Sequence, residues 1–151
     1  MIRCIEIALT IPDNEAETAA STLRRLGLPG IGVSRADLYR FDVGPEGEGP
    51  ALLDAVRRIE PLFNPNKHVL RERAAAPEAG EVWVHEIAHE GAPREGQVRI
   101  AGRTLPGVRG IERFTVWRLD DESGAPASGE AVAKAAETLL CNPAFQVATT
   151  S

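Results

Sequence analysis

Residues 82–91 read VWVHEIAHEG, and His85-Glu86-Ile87-Ala88-His89 within them has the spacing of the zinc-hydrolase signature. In such sites a helix sets histidines four residues apart on one face, about 5–6 Å from each other, where they share the ion. On a strand the same two positions also share a face, but at about 13 Å they cannot hold one ion. Val82, Trp83, Val84 and Ile87 favour a strand over 81–89, and Gly91-Ala92-Pro93 would stop it. The chain's other histidine, His68, lies upstream, so no third ligand follows at the longer metzincin spacing. No metal site is expected here.

Other chemistry is equally scarce. The stretch GPEGEGP (44–50) lacks the Lys-Ser/Thr ending of a phosphate-binding loop, and no serine stands in a nucleophile-elbow context. Cys4 and Cys141 form neither a CxxC pair nor a disulfide framework, and both read as free thiols in a reducing compartment. No catalytic residue and no cofactor are expected. The net charge of −5 comes with scattered basic residues and no Lys/Arg block, which argues against nucleic acid and anionic membranes as partners. No apolar run reaches the roughly 18 residues of a membrane span, and MIRCIEIALT is too short for a signal peptide, so a cytoplasmic setting is expected. With 43% apolar residues, the 151-residue chain can bury a real core.

The organising feature is internal repetition. LPGIGVSRADLYRFD (28–42) returns as LPGVRGIERFTVWRLD (105–120), with one extra residue after the LPG. Beyond that insertion the offset is a constant 78: Arg35 matches Arg113, Tyr39 matches Trp117, and Asn64-Pro65 matches Asn142-Pro143. CIEIAL (4–9) aligns by letters with VHEIAH (84–89) at an offset of 80. The matches define two repeats, 1–73 and 81–151, joined by a linker, AAAPEAG, at 74–80.

Each repeat alternates strands and helices. In the first, 3–11 is a strand; Asp13 caps a helix carrying Ala16, Ala19, Ala20, Leu23 and Leu26 at helical spacing until Gly27. Residues 31–43 are extended, as one bent strand or two. Leu52, Leu53, Val56, Ile59 and Phe63 mark a second helix ended by Asn64-Pro65, and 67–73 is a closing strand. The second repeat should follow the same order: strand 81–89, a weaker helix 93–104, extended 108–119, loop 121–128, helix 129–141 and strand 144–149. This pattern predicts an α+β fold of two tandem ferredoxin-like repeats, antiparallel sheets with helices on one face, related by a pseudo-twofold.

With that unit laid out, the chain resembles the PurS family, the small subunits of phosphoribosylformylglycinamidine synthase. AKAAETLLCNPAFQV (133–147) carries the resemblance best, AVRRIEPLFNPNKHVL (55–70) more loosely, and VSRADLYRFDV (33–43) is similar to the family's central extended segment. One departure stands out: the family follows its central arginine with Gly-Lys, whereas Ala36-Asp37 follow Arg35 and Phe114-Thr115 follow Arg113. The resemblance implies a non-catalytic bridging subunit between the synthetase and glutaminase subunits of an ATP-using amidotransferase in purine biosynthesis. It also implies that one tandem chain equals a covalent PurS dimer, acting as a monomer or a homodimer of tandem chains. A diverged PurS-fold module with another protein or small-molecule partner is the alternative. Candidate interface residues are Arg35, Tyr39, Asn64, Pro65, Arg113, Trp117, Asn142 and Pro143.

Overall fold

The computed structural model describes residues 1–87, 99–100, 103–105 and 107–151. The architecture is α+β. A six-stranded antiparallel sheet has the order β3-β1-β2-β7-β4-β8, from β1 (Ile2–Leu9), β2 (Gly32–Val43), β3 (His68–Arg73), β4 (Glu81–Glu86), β7 (Val108–Asp120) and β8 (Gln146–Thr150). A two-stranded ribbon pairs β5 (Arg99–Ile100) with β6 (Arg103–Thr104). The helices are α1 (Asn14–Arg25), α2 (Ala51–Arg57) and α3 (Gly129–Ala135).

Two compact units divide the chain, and each draws on both sequence repeats. The first takes Met1–Ile11, Asp37–Ala75 and the described residues of 88–113; the second takes Pro12–Ala36, Ala76–Ile87 and Phe114–Ser151.

In the first unit β1 runs antiparallel to β3, from Cys4 opposite Arg73 to Leu9 opposite His68. Alternation along β1 turns Ile5 and Ile7 to one face, where Tyr39, Phe41 and Val43 of β2 join them against Leu52, Val56 and Ile59. Leu105 and Val108 from the second repeat complete this core. Helix α2 is shorter than its apolar spacing predicts, because Pro61 pushes the residue before it out of helical geometry. Ile59, beyond the helix end, is still buried.

In the second unit β4 lies between β7 and β8, with Val82 opposite both Trp117 and Thr150. Val82, Val84 and Leu119 face Leu23 of α1 and Val132 and Ala135 of α3. Helix α1 starts where Asp13 accepts hydrogen bonds from the backbone N–H groups of Glu15 and Ala16. It stops at a left-handed Gly27 (φ 103°), where the Leu28 N–H returns to the Leu23 carbonyl at 3.0 Å. Ala16, Ala19, Ala20 and Leu23 are buried as the spacing predicts, whereas Leu26, at the cap, is exposed. The helix expected over 129–141 is α3 followed by a π-helical turn, Ala136–Leu140.

Two further expectations change. The extended stretch 31–43 is one strand, β2. Of the helix expected over 93–104, residues 99–100 and 103–104 are strand instead; 93–98, 101 and 102 lie outside the described residues.

Candidate functional site

Within the HExxH stretch the first two residues are strand, and Ile87 lies just past the strand's end. His85 and Glu86 belong to β4, opposite Val147 and Gln146 of β8; His89 lies outside the described residues. The His85 ring stands edge-on to Phe114 at 4.9 Å, and Trp83 tilts against the same ring at 5.7 Å. His85 is therefore engaged in an aromatic cluster on the sheet face opposite α1 and α3. Among the described residues no group of three or more His, Cys, Asp or Glu could hold a metal ion, and no helix is long and apolar enough to cross a membrane.

The two Asn-Pro corners are built alike. In the first, the Asn64 carbonyl accepts from the N–H groups of Lys67 (3.1 Å) and His68 (2.8 Å), and its side-chain Oδ1 accepts from Asn66 N–H at 2.9 Å. The Asn64 N–H donates to His68 Nδ1 at 2.9 Å. In the second, the Asn142 carbonyl accepts from Phe145 (3.2 Å) and Gln146 (2.8 Å), and Oδ1 accepts from Ala144 N–H at 3.0 Å. The Asn142 N–H donates to Gln146 Oε1 at 2.9 Å. Every donor and acceptor recurs 78 positions on. Asparagine suits both corners because its short amide closes a turn on its own backbone, and Pro65 and Pro143 bar the helix from continuing.

The central arginines are both paired within the chain. Arg35 grips Asp13 with Nε (3.0 Å) and Nη2 (3.2 Å), also pairs with Glu15, and stands 5.7 Å from the Trp117 ring. Asp13 therefore serves the α1 N-terminus and Arg35 together. Replacing Asp13 with Ala should cost about 1–2 kcal/mol in urea unfolding, the ordinary loss of a cap. Arg113 meets Asp37 at 3.0 Å, and both side chains are exposed. Of the aromatic pair, Tyr39 is buried in the first core and stacks on Phe41, with rings 6.4 Å apart. Trp117 is only half-buried. It lines a cleft of about 400 Å³ together with Asn14, Glu15, Thr18 and Thr22 of α1 and with Leu139 and Leu140. A second cleft, of about 470 Å³, lies between Leu28-Pro29 and the acidic turn 120–123. In the second cleft Ser123 Oγ donates to Asp121 Oδ1 at 2.6 Å, a contact within the turn itself.

Buried charges are the feature that sequence reading missed. Glu6 is 2% exposed and is held by Arg73 at 2.7 Å and Arg71 at 3.2 Å. Glu81 is 1% exposed and accepts from Arg118 Nε (2.9 Å) and Trp83 Nε1 (3.0 Å). Arg3, also buried, donates to both oxygens of Glu72, which holds that carboxyl below its usual range. The Cys4 thiol is pushed up by burial, against the lowering effect of Arg40 and Arg73, so it is not an activated nucleophile.

No family model, no curated protein and no solved structure matches the chain.

Proposed function

We propose that this chain is a non-catalytic bridging subunit of the PurS type, two PurS-like repeats in tandem that do the work of a small-subunit dimer. Its partners would be the synthetase and glutaminase of a phosphoribosylformylglycinamidine synthase. The observation that carries the reading is the paired corner. The Asn-Pro element lies in the stretches that most resemble the family, and it recurs with the same hydrogen bonds at Asn64 and Asn142.

Strand pairing supports the duplication. The first repeat contributes β3-β1-β2 and the second β7-β4-β8, one order reversed into the other, as a pseudo-twofold requires. The ladders also favour a different alignment of the first strands. His68 pairs with Leu9 and Gln146 with Glu86; since 146 − 68 is 78, Leu9 corresponds to Glu86, an offset of 86 − 9, or 77. A second ladder agrees. Met1 and Val43 exchange hydrogen bonds, giving a pair sum of 44, while Glu81 pairs with Arg118, giving 199; with Val43 matched to 121, Met1 falls on 78. The offset of 77 is also that of the two LPG turns.

A diverged module with a different partner is favoured by one observation. Where the family has Gly-Lys, Ala36 is buried and Asp37 carries the opposite charge, tied to Arg113. A partner carboxylate that met the family's lysine would be repelled here.

The test is co-purification of the tagged full-length chain with the synthetase and glutaminase of its own organism, with ATP and glutamine present. A complex containing all three chains is the expected result. Retention of neither enzyme would remove the bridging role, and capture of an unrelated protein would favour the diverged module.

A further inference from the structure

The corner at 64–68 and its counterpart at 142–146 differ in one respect that has a chemical consequence. Each takes the backbone N–H of its asparagine onto a side-chain acceptor four residues on, at 2.9 Å in both. In the second corner that acceptor is the amide oxygen of Gln146, which accepts at any pH. In the first it is Nδ1 of His68, which accepts only while the ring is neutral and carries its proton on Nε2. We infer that His68 makes the first corner a proton-sensitive clasp, closed when the imidazole is neutral and opened by its protonation, while the second corner stays closed.

The surroundings decide the direction. Protonation would set an Nδ1–H against the Asn64 N–H, two donors with no acceptor between them. Partial burial and the adjacent Lys67 both work against the imidazolium, and Asp37 of β2 works for it more weakly. Asp37 is itself bonded to Arg113 of β7. The Phe63 ring, 6.2 Å from the imidazole, brings no charge, and neither does Leu9, which pairs with His68 across the ladder. The folded-state pKa accordingly lies below its ordinary 6.5. By linkage, the stability the clasp contributes is complete above pH 6.5 and is lost as pH falls from there through the folded-state value. His68 opens the edge strand β3, so the clasp fixes where that strand begins.

The test compares the wild-type chain with His68→Gln, which copies the second corner. Between pH 8 and pH 5 the melting temperature of the wild type should fall relative to that of His68→Gln by about 2–4 °C, the shift expected for one hydrogen bond in a chain of this size. By NMR, the Asn64 amide should move with the His68 titration and the Asn142 amide should not. Melting profiles that run parallel in the two proteins would overturn the inference. A His68 ring protonated on Nδ1 at pH 8 would do the same. Neither readout involves a partner protein, so a failure here is distinct from a failure of the bridging function.

Discussion

Cutting the chain between Ala75 and Ala76 and separating the pieces should leave neither as a folded monomer, and mixing them should restore the native spectrum. The reason lies in how the cores are composed. Helix α1 belongs to the first repeat by sequence, yet Ala19 and Leu23 pack with Val82, Leu119, Val132 and Leu140 of the second. Leu105 and Val108 belong to the second repeat and pack with Phe41, Val43 and Leu52 of the first. The LPG turn preceding Val108 is fitted as closely: Gly107, at a positive φ of 65°, lies where an added Cβ would come 2.3 Å from the Gly47 nitrogen, and its carbonyl accepts from Gly44 at 2.8 Å. A piece of about 75 residues has a marginal core even when complete. Each of these would lack part of its own. Circular dichroism and size-exclusion chromatography of the separate and mixed pieces would check this. Either piece running alone as a folded monomer would contradict it.

The second large effect is expected at Glu6. Both Glu6 and Arg73 have side chains only 3% exposed, and they meet at 2.7 Å, while Arg71, which also pairs with Glu6, is 51% exposed. Removing one member of a buried pair takes a compensating charge out of a poorly solvated site, at about 3–5 kcal/mol. Removing an exposed member lets water replace it, at about 1 kcal/mol or less. Glu6→Ala should therefore lose several times more stability in urea unfolding than Arg71→Ala. Against the 5–15 kcal/mol typical of a whole domain, roughly, the first loss is a large share of the total. Equal losses in the two variants would contradict the claim that burial of the Glu6–Arg73 pair makes the larger difference.

How much of this was legible follows from where the signal resides. Helix α1 could be read in full because cap, period and C-terminal glycine all lie in consecutive residues. The Asn-Pro corners could be read because asparagine and proline act through their own backbone. The first strands were misaligned because the letters EIA recur at an offset of 80, while the ladders set 77. A three-residue slip is odd, so it exchanges the two faces of the strand. It matched Ile5 and Ile7 to His85 and Ile87, where the offset of 77 would match them to the buried Val82 and Val84. The LPG turns already carried the right offset. Glu6 and Glu81 were illegible for a different reason. A carboxylate alternating with aliphatics in a strand reads as solvent-facing, and only contacts distant in sequence reveal that its face is covered. The same holds for Tyr39, which the offset of 78 sets against Trp117 but whose exposure differs because its neighbours do.

The central claim concerns a bridge between two enzymes, and nitrogen transfer between them measures it most directly. The synthetase and glutaminase would be assayed together, with and without the chain, for amidine formation from formylglycinamide ribonucleotide and ATP, with either glutamine or free ammonia as the nitrogen source. A bridging subunit should raise the glutamine-driven rate to a plateau at a fixed stoichiometry and leave the ammonia-driven rate nearly unchanged, because free ammonia bypasses the glutaminase. A glutamine-driven rate that is the same with and without the chain would contradict the account.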